Sequence, residues 1–263
     1  MAMADLETEN RIVQVLLGII EMLSMSVAMM EQMIAKPTFL DAGTRSKRFR
    51  FEKPDALIFQ VLMCVRIVSG LRAAAILLMN AHVTEVGVLF RTIDDLIAEI
   101  NFVDELIEKG PENVTASQRE FLDLYFVDDN RTTEDLLENR RKINYNERRQ
   151  KVQASEARVF GGEDPDRIKK IVRAVDDVWS GVVHGSYSSV MTMYGGDGPD
   201  DAHFHTRGMP VRFSEYRHHL GLYVHRALNT FFKVSHNFGH TKLAEQLRNL
   251  RREFEASAAY SAE

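Results

Sequence analysis

The sequence ALIFQVLMCVRIVSGLRAAAILLMN, residues 56–80, decides the fold of this chain. The polar side chains within it, before the closing Asn80, are Gln60, Arg66, Ser69 and Arg72. They leave no polar stripe at helical spacing, so a helix here has to be covered around its whole circumference. Two arginines near the middle are costly in lipid. We therefore predict a fully apolar central helix inside a protein core, and no membrane span.

Buried arginines require acidic partners, because an unpaired buried charge is unstable. The connection at residues 80–83 is short, which predicts that the next helix runs antiparallel to the central one. Arg72 then lies level with residues 93–95, and Arg66 lies level with Glu99. The sequence thus predicts a buried polar core, which is either a ligand-binding site or an internal ion-pair network. Its candidate residues are Arg66, Arg72, Arg91, Asp95, Glu99 and Asp177.

Composition is that of an ordinary globular protein, with 45% hydrophobic and 27% charged residues among 263. The net charge of −5 provides no global attraction for nucleic acid or an acidic membrane. The single cysteine, Cys64, excludes a disulfide framework and a cysteine-based zinc site within one chain. The acidic N-terminus lacks the plan of a signal peptide. We expect a cytoplasmic protein.

The spacing of apolar residues predicts an all-α fold. We expect one antiparallel bundle of about seven or eight helices, forming a single domain over residues 1–263, with residues 115–160 as an appended helical arm and 256–263 as a disordered tail. The predicted helices cover residues 5–36, 56–80, 84–109, 115–129, 132–159, 165–194, 214–236 and 241–255.

The first predicted helix carries a methionine-rich face at positions 22, 25, 29, 30 and 33. Such a face is either an adaptable binding surface or irregular core filling. We interpret it as core that also provides a contact between copies, so a homo-oligomer is expected.

Two basic segments are candidate RNA contacts. Residues 45–53 carry five basic residues with Phe49 and Phe51 between them, a combination that can hold single-stranded nucleic acid. Residues 140–151 contain six basic residues in twelve. The alternatives are a solvated loop whose phenylalanines tuck into the core, and a helix laced with salt bridges. We expect the solvated loop for residues 45–53 and the salt-bridged helix for residues 140–151.

Histidines provide the remaining chemical candidates. Asp177, Ser180 and His184 share one predicted helix face, so His184 is either a general acid–base or a core histidine, and we expect the latter. His203 and His205 are weak metal candidates, because they lie in a predicted loop without a helical ligand pair. We predict no metal and no cofactor.

Two short motifs resemble bacterial all-helical proteins loosely related to the HEPN-like superfamily. They are Arg91-Thr92-Ile93-Asp94-Asp95 and the Ser-x-x-x-His-Gly run from Ser180 to Gly185. The resemblance covers roughly residues 54–236. It implies an antiparallel helical bundle, frequently dimeric, and some relatives are metal-independent ribonucleases of toxin or phage-defence systems.

Active relatives carry an arginine and a later histidine with four to six residues between them. The 180–185 run lacks that arginine, whereas Arg212 with His218 or His219 has the spacing. The leading hypothesis is an interaction or ligand-binding protein with a polar core. The alternative is a ribonuclease that uses Arg212 and His218.

Overall fold

The computed structural model describes residues 3–41, 47–51, 53–110, 116–126 and 212–257, and between the last two ranges residues 179–180, 182–184, 186, 190–191, 193–195 and 202–205. Helices account for 80% of this part of the chain, which confirms a mostly helical protein. The predicted helix at 132–159, the basic segment 140–151, Asp177 and residues 258–263 lie outside the described residues. The total of seven or eight helices therefore stays a prediction.

Six helices lie within the described ranges, and their bounds are close to the predicted ones. They are α1 (Met3–Glu31), α2 (Ala56–Met79), α3 (Val83–Lys109), α4 (Ala116–Tyr125), α5 (Phe213–Asn237) and α6 (Thr241–Glu255).

Two short antiparallel hairpins add to the helices. One pairs β1 (Thr38–Asp41) with β2 (Lys47–Arg50), and the other pairs β3 (Tyr194–Gly195) with β4 (His203–Phe204). They correct the prediction of irregular loops at both places. The helix predicted to reach residue 194 ends earlier, because residue 193 is already a turn and β3 starts at 194.

Local signals explain why α2 begins and ends where it does. The Asp55 side chain accepts a hydrogen bond from the Ile58 N–H at 2.9 Å, which satisfies a donor that the first helical turn leaves free. At the other end Ala81 has a φ of 61°, a left-handed conformation that reverses the chain within a few residues. The short turn makes α2 and α3 antiparallel neighbours, as predicted.

Helix α2 packs against α1, α3 and α5. The largest of the fully buried side chains are phenylalanines, each of which stabilises the fold by about 1.5–3 kcal/mol when buried. They are Phe59, Phe90, Phe102, Phe213 and Phe231. Full cover of α2 is not confirmed, because Val65 and Ile76 remain 45% and 47% exposed. Three neighbouring helices leave one side of α2 open.

Candidate functional site

Arg72 does not join the predicted ladder between α2 and α3. Gly70 is the residue that faces α3, since a Cβ there would lie 3.2 Å from Ile93. Two residues further on, a helix has turned by about 200°. Arg72 therefore faces the other way and pairs with Glu21 of α1, with 2.7 Å between Nη2 and Oε1. The height at which α2 faces α3 was predicted correctly, but the predicted side of α2 for Arg72 was wrong.

The other predicted charges that the structure describes are at most partly buried. Arg66 is exposed. Burial raises the pKa of Tyr125 on α4, Glu99 raises it further, and Arg66 lowers it, so both charges act on one phenol. Arg91 and Asp95 pair locally within α3 at 3.3 Å, as expected from their spacing. Asp177 lies outside the described residues.

The buried carboxylate that the sequence did not reveal joins α3 to α5. Asp94 is 8% exposed and accepts hydrogen bonds from the Tyr223 hydroxyl, at 2.5 Å, and from the Arg226 guanidinium. Burial raises the pKa of Tyr223, and the Asp94 charge raises it further. The phenol therefore keeps its proton and remains a donor. A carboxylate with these two donors is satisfied, and the cluster holds the two helices together.

No local pattern could have identified this cluster. Asp94 stands beside Asp95 on what the sequence indicates is the polar side of α3, and Tyr223 is 129 residues away. The available signal was weak: Tyr223 and Arg226 are three residues apart, so they share one face of α5.

A second buried network connects α2, α3 and α5. The Asn237 side-chain amide donates to Gln60 Oε1 at 3.1 Å and to Asp104 Oδ1 at 2.5 Å, while Gln60 Nε2 donates to Asp104 at 3.3 Å. Gln60 is fully buried. The three side chains satisfy one another, so this network is also suited to fixing the helices rather than to holding a ligand.

Arg212 and His218, the predicted catalytic pair, lie on different sides of α5. Six residues turn a helix by about 240°. Arg212 instead forms two hydrogen bonds with Glu215, both of 2.9 Å. His219, seven residues after Arg212, returns to the same side, with its Nε2 4.0 Å from Glu215 Oε1. We name Arg212, Glu215 and His219 the α5 charged face.

His219 packs against the Trp179 ring, and Gly87 leaves the space that this ring occupies. The centre of the Trp179 ring lies 5.3 Å from that of His219. On α3, a Cβ at Gly87 would lie 2.9 Å from the Trp179 ring, so only glycine leaves the space. Burial lowers the pKa of His219, and the nearby Glu215 carboxylate opposes that effect. The imidazole is therefore neutral at physiological pH and can accept a proton.

His184 is exposed, which corrects the expectation of a core histidine. Its backbone N–H donates to the Ser180 carbonyl at 3.0 Å. Its predicted companion Asp177 lies outside the described residues.

The metal candidates His203 and His205 are neighbours on the second hairpin, with ring centres 4.2 Å apart. The His205 ring nitrogen Nε2 also lies 3.1 Å from the Gly195 carbonyl oxygen. Across the described ranges, no group of three or more histidine, cysteine or acidic residues could hold a metal ion.

Part of the methionine-rich face is open to solvent. On α1 the exposed residues include Val15, Met22 and Met25, the last of them 68% exposed. Ile76 and Val65 lie on the adjoining side of α2, which the Arg72–Glu21 pair connects to α1. We name these five apolar residues the outer face. The prediction that methionines mainly fill the core holds for Met30, which is fully buried.

The basic segment 45–53 corrects another expectation. Phe49 is 69% exposed and Phe39 is 47% exposed, so neither ring tucks into the core. They form a cross-strand pair with ring centres 5.2 Å apart. Phe51, by contrast, is half-buried.

Two of the described helices, α2 and the Glu9–Glu31 part of α1, are long and apolar enough to cross a membrane. Half of the apolar stretch of α2 and 39% of that of α1 are buried inside the protein. A core helix of a water-soluble protein has the same length and composition, so this feature alone favours neither setting.

Comparison with known proteins gives no relative: no protein-family model matches the chain, and no curated protein sequence or solved structure is significantly similar to it.

Proposed function

We propose that this chain is a cytoplasmic helical interaction protein that associates with a second copy of itself through the outer face. The observation that carries the proposal is the exposure of Val15, Met22 and Met25 on α1 beside Val65 and Ile76 on α2. Large apolar side chains exposed along two neighbouring helices are unfavourable in water and are typical of a contact region.

The spacing of residues along α1 supports a helix as the element that packs against the outer face. Residues 15, 18, 22 and 25 alternate steps of three and four, the spacing of a coiled-coil seam. Position 18 is glycine, and a Cβ there would have nothing within 4 Å. Among the described residues nothing gives a packing reason for this glycine, whereas a closely approaching helix would.

A second copy of this chain offers the matching surface. It presents the same exposed stripe on α1, and two such stripes can pack against each other about a two-fold axis. Since α1 and α2 lie side by side, two copies would form a four-helix contact.

The size of the outer face predicts a reversible dimer. It runs about 15 Å along α1, from residue 15 to residue 25, and it is two helices, or about 20 Å, wide. Each copy then contributes on the order of 300 Å², and the pair reaches about 600 Å², which is below the size of stable specific interfaces and fits a weak contact. We place the face against protein rather than lipid because Arg66 and the Arg72–Glu21 pair lie on its α2 side, where a bilayer would be costly.

Sedimentation velocity over a range of concentrations tests the proposal. We expect a monomer–dimer equilibrium for the wild type and a monomer for Met25→Lys, because a buried unpaired lysine opposes contact. Val88→Lys is the matched control, since Val88 is 41% exposed on α3, away from the outer face. A wild type that is monomeric at every concentration, or a dimer that only Val88→Lys disrupts, would refute the proposal. Recruitment to neutral lipid vesicles would assign the face to a membrane.

The second candidate function is a HEPN-type, metal-independent ribonuclease, now with His219 in place of His218. It is favoured by the α5 charged face, where a neutral imidazole lies on the same helix side as a guanidinium. Such an imidazole can accept the proton of a ribose 2′-hydroxyl, and an arginine can stabilise the charge that develops on phosphate.

RNA cleavage in the presence of a chelator tests this candidate. We expect His219→Ala and Arg212→Ala to abolish cleavage while His218→Ala and His184→Ala retain it. Each variant needs unchanged helicity and thermal midpoint. Absence of cleavage by the wild type would remove the candidate and leave the interaction protein.

A further inference from the structure

The β1–β2 hairpin is an arm whose two exposed rings face the same way. Phe39 and Phe49 are directly opposite each other in the antiparallel register, so both lie on one face of the two-stranded sheet. Their rings are tilted by 56° with centres 5.2 Å apart. Because 47% and 69% of these residues are exposed, their π surfaces are open to a flat ligand.

The arm is basic in an acidic chain. Residues 38–53 contain five basic residues and two acidic ones, a net charge of +3, whereas the whole chain carries −5. The register pairs Lys47 with Asp41, and Arg48 and Arg50 directly flank Phe49 along β2. Basic residues therefore adjoin the exposed ring on both sides in the sequence.

The β3–β4 hairpin provides an internal comparison. It also carries an exposed cross-strand aromatic pair, Tyr194 and Phe204, with ring centres 4.9 Å apart. Its segment, residues 194–205, contains three aspartates and no lysine or arginine. Two exposed cross-strand aromatic pairs thus lie within the described residues, and only the first belongs to a basic segment.

We propose that the β1–β2 hairpin binds single-stranded nucleic acid, with bases stacking on Phe39 and Phe49 and phosphates contacting Lys47, Arg48 and Arg50. Stacking tolerates any base, because every base has a π face, and the cations track the backbone. Duplex is a poor ligand because its bases are already stacked. The proposal depends neither on the outer face nor on cleavage.

Fluorescence anisotropy with a labelled single-stranded RNA oligonucleotide of mixed sequence tests the proposal on the full chain. We expect Phe49→Ala to weaken binding by about 10-fold or more. Replacing both Arg48 and Arg50 by glutamine should reduce the steepness of the salt dependence by about 1.4 in the logarithmic slope. Phe204→Ala is the matched control and should bind as the wild type does.

Both aromatic substitutions are at exposed positions, so an unchanged thermal midpoint is expected for each. No binding by the wild type, or equal weakening by Phe49→Ala and Phe204→Ala, would overturn the inference. Binding to phosphatidylserine vesicles but not to RNA would also overturn it and assign the arm to an anionic membrane. The same anisotropy measurement on Met25→Lys separates this inference from dimer formation. If this monomeric variant still binds RNA, the hairpin binds RNA without the dimer.

Discussion

At the residue scale, the most informative side chain is Asp94. Its neighbour Asp95 has the same charge and stands on the same helix, yet one is buried and satisfied by α5 while the other is half-exposed and pairs with Arg91. The difference comes from a 100° step around α3. Burial, rather than residue type, therefore decides what each carboxylate contributes to stability.

We predict that Asp94→Ala lowers the free energy of unfolding by about 3 kcal/mol, because it leaves Arg226 and the Tyr223 hydroxyl without their acceptor. Tyr223→Phe should cost only about 1 kcal/mol. Asp95→Ala, the control, should cost less than about 1 kcal/mol, as expected for an exposed pair. Urea denaturation followed by circular dichroism measures all three, and equal losses for Asp94 and Asp95 would contradict the assignment.

His219 makes stability depend on pH. Its pKa is lowered by burial from the ordinary 6.5, so the unfolded chain binds a proton more readily than the folded one. Stability is then lost as pH falls through 6.5 towards the folded pKa. We predict that the thermal midpoint of the wild type decreases more than that of His219→Gln between about pH 7.5 and 5.5. Parallel decreases in both proteins would show that this histidine is not responsible.

At the element scale, glycines distinguish helix faces that are filled from faces that are open. Gly87 on α3 lies under Trp179, and a Cβ there would also lie 3.0 Å from Val182. Gly18 on α1 has open space at the same position. Both glycines are inside helices, so the intrinsic helix propensity is the same and only the surroundings differ.

This pair yields opposite predictions for one substitution. Gly18→Ala should raise the free energy of unfolding by about 0.5–1 kcal/mol through helix propensity. Gly87→Ala should lower it by about 1–3 kcal/mol, because the added methyl overlaps the Trp179 ring. Urea unfolding at protein concentrations where the chain is monomeric measures both, and a destabilising Gly18→Ala under these conditions would show that α1 packs differently.

At the scale of the whole molecule, three helices enclose α2 incompletely, and the open side continues onto α1. The buried networks lock α2, α3 and α5 together through Asp94 and Asp104. The α1–α2 side, by contrast, has the surface pair Arg72–Glu21 and exposed methionines. The closed side of the bundle thus contains the buried networks, and the open side contains the surface through which we propose association.

Association through the outer face would make thermal stability depend on protein concentration. At a concentration a hundred times the dissociation constant, binding of a partner adds about 2.7 kcal/mol by mass action. We predict a thermal midpoint that rises with concentration for the wild type and stays constant for Met25→Lys. Differential scanning calorimetry over a hundredfold range checks this, and a constant midpoint for both proteins would argue against self-association.

The sequence alone determined the described helices of this protein, though not its two hairpins. Helical periodicity, Asp55 before α2 and the short turn at Ala81 are local features, and local features fix where helices begin, end and reverse. They also fixed the level at which α2 and α3 face each other, and the local pairing of Arg91 with Asp95.

Only the tertiary structure decided which side of each helix is buried and which distant residues meet. Asp94 bonds to Tyr223, Gln60 bonds to Asn237, and Arg72 pairs with Glu21. These contacts depend on how far each helix is rotated about its axis, and that rotation is set by the packing of all its neighbours together. The same collective packing left Phe49 and Met25 outside. Exposure of an apolar side chain is a property of the assembled molecule, since it depends on what remains uncovered after every other contact has formed.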